Sequence, residues 1–399
     1  MKIEISKKIA GLAPSGIRAF FDLVLNMKDV ISLGVGEPDF VTPWNIREKA
    51  IYSLEQGFTS YTSNKGMFEL RRQIMNFLRH RYGINYDPDE EVLITVGVSE
   101  GLDLAVRALL NPLDKVLIPQ PSYVSYAPIV EMAGGLPVII QTQKHNGFKL
   151  TAAMIEAACA RAGSSVKAII LNYPCNPTGI SYTKEELERI ARAVKKAGLL
   201  VISDEVYDEL TYDFVHTPIA SLKGMKDRVV YLNGFSKGYA MTGFRIGWAC
   251  GPKEIISAMT KIHQYTILCA PITAQMAAIE ALKNGHKNLQ SMKKEYKRRR
   301  RYLVEALNEI GLECHMPDGA FYVFPSIQAT GEDALHFAQN LLKEEKVAVV
   351  PGTAFGNSCE GYVRMSYAAG YEQLKEAVCR IERYIKNKGN YKRFGTKNQ

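Results

Sequence analysis

KAIILNYPCNPTGISYTKEELERIARAVKKAGLLVISDEVY, residues 167–207, reads as a strand, a helix and a second strand in succession. KAIILN (167–172) and LLVIS (199–203) are short unbroken apolar runs, which suit strands covered on both faces. Between them lies TKEELERIARAVKKAG (183–198). There Thr183 and Glu186 have capping-box spacing, Leu187, Ile190, Ala191 and Val194 form an apolar stripe, and Gly198 can end the helix. Two parallel strands joined by such a helix make a right-handed crossover unit.

Outward from this unit the same signal repeats. VLITV (92–96), KVLIP (115–119), PVII (137–140), VVYLN (229–233) and IGWAC (246–250) are further apolar runs with helical patterns among them. The expected architecture is α/β: a large domain over 50–285 with a mainly parallel seven-stranded sheet flanked by helices. After it, a long charged helix near 286–310 leads to GAFYVFPSI (319–327), VAVVPGTAF (347–355), GYVRMSYA (361–368) and two more helices. That predicts a smaller α+β domain over 286–388. Residues 1–49 are expected to form an N-terminal arm and part of the small domain, and 389–399 a disordered basic tail.

The bulk numbers exclude several classes. The 399 residues are 47% hydrophobic and 23% charged, ordinary for a globular protein with room for two domains. The opening MKIEISKKIAGLAPSGIRAFF has charges at both ends and no sustained apolar core, so no secretory signal is expected. No run of eighteen apolar residues predicts a membrane span. The seven cysteines never fall in C-x-x-C spacing and the seven histidines form no H-E-x-x-H. Neither a disulfide framework nor a metal site is expected, and the expected compartment is the cytoplasm. Of the net charge of +9, five units sit in the last fourteen residues, leaving +4 for the rest. The basic run KKEYKRRRRYLVEAL (293–307) could face an anionic polymer. It fits better as a helix with Leu303, Leu307 and Ile310 inward and its arginines facing water or local carboxylates. No nucleic-acid partner is expected.

In open parallel sheets, ligands collect at the carboxyl ends of the strands. Three strand ends here carry reactive side chains: Asn176 in YPCNPTG, Asp204 and Tyr207 in DEVY, and Ser236 and Lys237 in GFSK. Each alone has an ordinary explanation, as a turn, a cap or a core residue. Together they fit pyridoxal 5'-phosphate. Its aldehyde suits Lys237 as a Schiff-base lysine. Asp204 can partner its pyridine nitrogen, and Asn176 and Tyr207 its phenolic oxygen. Arg245 and Ser236 suit its phosphate. The turn TVGVSEGL (95–102) runs a strand into a helix, and the amides of Ser99, Glu100 and Gly101 would open that helix as a further anion site. No G-x-G-x-x-G and no G-x-x-x-x-G-K-[ST] competes for the role.

These motifs resemble the fold-type I pyridoxal-phosphate aminotransferases of class I/II, a group that includes bacterial aspartate, alanine and aromatic aminotransferases. The resemblance spans roughly 10–388 and rests on ISLGVGEPDF (31–40), YTSNKGMFELR (61–71), NYPCNPTG, SDEVY, VRMSYA and S-K-x-x-x-M-T-G-x-R-x-G-W (236–248). It implies that Tyr123 stacks on the cofactor ring, where relatives often have tryptophan. It implies that Arg364, with Gly36 and Asn176, holds the substrate α-carboxylate. It also implies that Tyr61 reaches the phosphate of a neighbouring subunit, hence a homodimer with shared active sites. The implied reaction is ping-pong transfer of an amino group from an L-amino acid to 2-oxoglutarate or another 2-oxo acid, with Lys237 as general base.

Two other functions keep the same motifs. A carbon–sulfur lyase would use nearly the same cofactor residues. An aminotransferase-like sensor of a transcription regulator would need an N-terminal winged helix–turn–helix, for which the roughly forty residues before GEPDF are expected to be too few. Substrate choice stays open among aspartate, alanine, methionine, aromatic amino acids and an acylated diaminopimelate. KIHQYTILCAP (261–271) offers Lys261, His263 and Gln264 but no arginine for a second carboxylate.

Overall fold

Seven strands form one sheet in the computed structural model, which describes residues 3–12, 27–163 and 165–388. The expected tail at 389–399 and part of the expected N-terminal arm lie outside the described residues. The strands are Val92–Thr95 (β1), Lys115–Gln120 (β2), Leu136–Gln141 (β3), Val166–Asn172 (β4), Leu200–Asp204 (β5), Val229–Gly234 (β6) and Gly247–Cys250 (β7). Their order across the sheet is β1-β7-β6-β5-β4-β2-β3. β7 is antiparallel to both of its neighbours, and every other pairing is parallel. The exception follows from chain length: β6 and β7 are joined without an α-helix, and a parallel return needs a long crossover.

The unbroken apolar runs are explained by the two faces of the sheet. Ile169, Leu171 and Val201 pack on one side against Leu187, Ile190 and Val194. Ala168, Ile170 and Ile202 pack on the other against Leu102, Leu104 and Val106. Each Val, Leu or Ile side chain so removed from water contributes about 1.5–3 kcal/mol before chain entropy is counted. The helix Lys184–Lys196 begins at the expected capping box. Thr183 Oγ1 accepts from the Glu186 amide at 3.3 Å, and Glu186 Oε2 accepts from the Thr183 amide at 2.8 Å.

A further core holds the C-terminal part. Leu303, Leu307, Phe337, Leu341, Leu374 and Ile381 converge there from three helices, His286–Glu309, Ala334–Glu345 and Tyr371–Asn387. They enclose a small sheet of Tyr322–Val323, Val363–Ser366 and Val350–Pro351. The strand Ile31–Ser32 runs parallel to Val347–Ala348, and Leu33 enters this same core. The helix Trp44–Glu55 instead packs on Ile272–Asn284, with Ile46 in the sheet core. On these cores we propose two domains close to the expected limits, with Trp44–Glu55 on the sheet side. Among the described residues, no helix is long and apolar enough to cross a membrane.

The arginine run needs a correction. Leu303, Leu307 and Ile310 are buried as expected, but so are Arg299 and Arg300. Arg299 pairs with Asp39 at 2.8 Å and Glu295 at 2.9 Å, and Arg300 pairs with Asp213 at 2.6 Å. These two arginines fasten the long helix to the segments around residues 39 and 213, so they are not available to an anionic polymer.

Candidate active site

The carboxyl ends of β4, β5 and β6 lie side by side, with Asn172 in register with Asp204 and Asp204 with Leu232. A cavity of roughly 440 Å³ opens over them. The segment 35–37 crosses it from the C-terminal core, carried there by the pairing of Ile31–Ser32. Gly36, Ser99, Tyr123, Asn176, Asp204, Tyr207, Ser236, Lys237, Arg245 and Arg364 all line it.

Half-buried Lys237 and buried Asp204 both line the cavity. Lys237 Nζ donates to the Gly36 carbonyl at 2.6 Å. Its pKa is lowered to about 8, chiefly by burial, with Arg364 and Arg245 adding to the shift and Glu37 and Asp204 opposing it. Asp204 is pushed up to about 6 by burial, against donors that favour its ionised form. Those donors are the Tyr126 hydroxyl on Oδ2 at 2.8 Å and the Val206 amide on Oδ1 at 3.3 Å. Asn172 ties the strand ends together, donating to the Asp204 carbonyl at 2.9 Å and accepting from the Asn176 amide at 2.9 Å.

Arg364 is 2% exposed and has no carboxylate partner among the described residues. It donates to Asn176 Oδ1 at 2.8 Å and to the Gly34 carbonyl at 2.6 Å, while its buried Nε has no partner. The rings of Tyr322 and Phe355 flank its guanidinium at 4.5 and 4.9 Å. A buried guanidinium without a counter-charge is costly, and an incoming carboxylate would supply one.

A second anion cradle lies at the helix Gly97–Leu109. Arg245, held in the left-handed region at φ 52°, lays its guanidinium against the first turn. A Cβ on Gly97 would come within 2.8 Å of Arg245 Nη2, and Gly97 itself has φ +73°, so the approach needs glycine. Arg245 donates to the Thr242 carbonyl at 3.1 Å and joins no ion pair among the described residues. The free amides of a helix start, an unpaired arginine and Ser236 together suit a phosphate. A phosphate cradle, a carboxylate on a strand end and a depressed lysine in one cavity fit pyridoxal phosphate.

Two expected cofactor residues, Glu100 and Gly101, do not line the cavity. The helix begins two residues earlier than expected, so its free amides are those of Gly97, Val98 and Ser99. The Glu100 carboxylate is already engaged, accepting from the Val96 amide at 2.5 Å and meeting His263 Nδ1 at 2.6 Å. Gly101 packs against Leu232 and Thr95 instead of facing the cavity. His263, weighed as a side-chain contact, is fully buried in that pair with Glu100. Tyr61 stands 82% exposed and away from this chain's own cavity. Conversely, Tyr126, Asn172, Thr242 and Tyr322 line the cavity without having been singled out. Asn172 ends the quoted KAIILN run and Tyr126 ends the run PSYVSY (121–126) just past the run KVLIP, positions near strand ends that could have flagged them. Tyr322 hydrogen-bonds Tyr207 at 2.9 Å across 115 residues of chain, which no local pattern signals.

Residues 28–381 match the family model described as aminotransferase class I and II. The chain is 54% identical to YugH of Bacillus subtilis (strain 168), whose name gives an aminotransferase without a substrate, over 96% of this chain and 99% of that one. It is 45% identical to an aspartate aminotransferase of Pyrococcus abyssi, over 97% of this chain and 99% of the relative. The crystal structure of an aromatic aminotransferase from Pyrococcus horikoshii superposes with a TM-score of 0.88 at 44% identity, over 94% of this chain and all of the other. The chain belongs to the class I and II aminotransferases, enzymes that move an amino group to a 2-oxo acid and generally use pyridoxal phosphate.

Proposed function

We propose that this aminotransferase binds pyridoxal 5'-phosphate at the strand ends and moves the amino group of an L-amino acid to 2-oxoglutarate or another 2-oxo acid in ping-pong turnover. The observation that carries the reading is Arg364, buried beside Lys237's cavity with an unpartnered Nε and no counter-charge. Every α-amino acid and every 2-oxo acid brings the carboxylate that Arg364 lacks.

When bound, the cofactor supplies a carbonyl for the amino group and a ring that draws electrons from the substrate's α-carbon. Arg364 grips the α-carboxylate with its planar fork and so sets the direction of the Cα–H bond. Lys237 Nζ takes that proton and later returns it; with a pKa near 8 its neutral form is accessible close to neutral pH. Asp204 keeps a proton at the ring nitrogen. Asn176, whose Oδ1 is taken by Arg364, has its amide N–H groups left for the ring oxygen, which Tyr207 also serves. Tyr123, which lines the cavity, would cover one face of the ring. Ser236, Arg245 and the first-turn amides up to Ser99 hold the phosphate.

The side-chain end of the cavity favours neutral donors. Apart from Lys237, Arg245 and Arg364, no cation lines the cavity among the described residues, and Tyr322 adds an aromatic ring to its lining. An aromatic amino acid or methionine suits this chain's own residues better than aspartate does. The test is a panel of amino donors with 2-oxoglutarate, read as glutamate formed. Glutamate from aromatic donors or methionine supports the reading; pyruvate and ammonia from cystathionine, without glutamate, would replace it by a carbon–sulfur lyase.

Arg364→Lys should raise KM for both the donor and the 2-oxo acid by about ten- to a hundredfold, because a point charge replaces a two-pronged grip. Cofactor affinity should hold. An effect on only one of the two substrates would contradict a shared carboxylate anchor.

The homodimer belongs to the same proposal. Tyr61 is exposed, as are the large apolar side chains Val41, Trp44, Phe58, Phe68 and Tyr265, which suits a subunit contact. Tyr61 there serves the partner's phosphate site. Mixing Tyr61→Ala chains with Lys237→Ala chains should restore tight cofactor binding at one site of each mixed dimer, where Lys237 meets an intact Tyr61. No restoration would remove Tyr61 from the shared site.

A further inference from the structure

Behind the cavity floor, the first residue of the short helix Tyr126–Met132 points its hydroxyl at the carboxylate of Asp204. Tyr126 is 2% exposed and its O–H donates to Asp204 Oδ2 at 2.8 Å. Among the described residues, Oδ1 receives only the longer bond from the Val206 amide at 3.3 Å. One oxygen of Asp204 is therefore fixed from behind while the carboxylate lines the cavity. The ring of Tyr126 is held in turn by an edge contact with Tyr123, centroids 5.6 Å apart.

We infer that Tyr126 is a positioning residue for amino transfer: its hydroxyl holds the Asp204 carboxylate ionised and aimed at the cofactor's ring nitrogen. The inference rests on the function proposed above. The ionisable groups around Asp204 are few. Lys237 faces it across the cavity and favours its charge, whereas its neighbour Glu205 disfavours it. Cys175 and Tyr207 also feel its charge, and burial keeps both neutral. Of these groups, Tyr126 alone donates a side-chain hydrogen bond to Asp204 among the described residues. A buried carboxylate that loses such a donor takes up a proton more readily. A protonated Asp204 would no longer draw a proton onto the ring nitrogen, and the ring would become a weaker electron sink.

Tyr126→Phe removes the hydroxyl and keeps the ring contact, while Tyr126→Leu removes both. In the cofactor-free protein with ¹³C-labelled aspartate, the Asp204 carboxyl signal should titrate at higher pH in Tyr126→Phe than in wild type. In the loaded enzyme, the same variant should lose about ten- to a hundredfold in kcat, the range for a hydrogen bond to a charged group, with KM nearly unchanged. Its low-pH limb of activity should move to higher pH. If Tyr126→Phe matches wild type in carboxyl titration and kcat, and only Tyr126→Leu is impaired, the hydroxyl has no such role and the inference is overturned. The two failures are separable: a wild-type protein that does not take up pyridoxal 5'-phosphate refutes the proposed function, and the carboxyl titration needs no cofactor.

Discussion

Lys237→Ala should abolish amino transfer, lowering turnover on the order of a millionfold, as when a group that both bonds covalently and moves protons is lost. No other lysine lines the cavity, so nothing among the described residues can replace its amine. The loss should not come from misfolding. In the folded chain Lys237 has a pKa near 8, against 10.5 for a free lysine. Holding its charge in the core therefore costs stability fully below pH 8, and the cost fades as pH rises from 8 towards 10.5. Alanine removes that cost along with the bond to the Gly36 carbonyl, so the cofactor-free variant should melt no lower than wild type at pH 7. Borohydride treatment of the loaded wild-type enzyme, followed by peptide mass spectrometry, should place the cofactor on the peptide containing Lys237. Labelling of a different lysine, or substantial turnover in the variant, would dismiss the assignment.

Strand positions were legible because the inner apolar runs of the sheet are buried on both faces, which leaves no alternation to misread, whereas the edge strand Leu136–Gln141 is only partly buried. The reactive strand ends were legible for a related reason. Polar residues such as Asp204 and Ser236, at or just past the end of a buried strand, have few structural uses, and three such ends in one sheet point to one ligand. Less legible was whatever depends on where a helix starts or on contacts between distant segments. Gly97, with positive φ, opens its helix before Ser99, so Glu100 turns back to its own helix start and to His263. Arg299 and Arg300 resemble their exposed neighbours Arg298 and Arg301 in sequence. The approach of Asp39 and Asp213 from far along the chain, with Glu295 beside Arg299, compensates their burial. Tyr322 belongs to the same class, since its partners Tyr207 and Arg364 come from separate elements.

Asp204→Ala should lower turnover by about a thousandfold or more while cofactor still binds, because the ring nitrogen loses the charge that keeps it protonated during proton transfer. Asp204→Asn gives the sharper test, since it preserves shape and still offers Tyr126 an acceptor. Burial raises the Asp204 pKa from 3.8 to about 6 in the folded chain. The native state therefore holds an extra proton between these values, and above pH 6 the buried carboxylate costs stability, on the order of 3 kcal/mol. Below pH 3.8 both states are protonated and the cost is gone. The cofactor-free Asp204→Asn protein should then melt above wild type at pH 8, and the gap should close as pH falls towards 4. A chain that keeps a destabilising carboxylate at this strand end needs it for something other than folding. Higher melting at pH 8 together with collapsed turnover would tie that cost to the ring nitrogen. Equal melting at both pH values with turnover preserved would instead put Asp204 outside the chemistry.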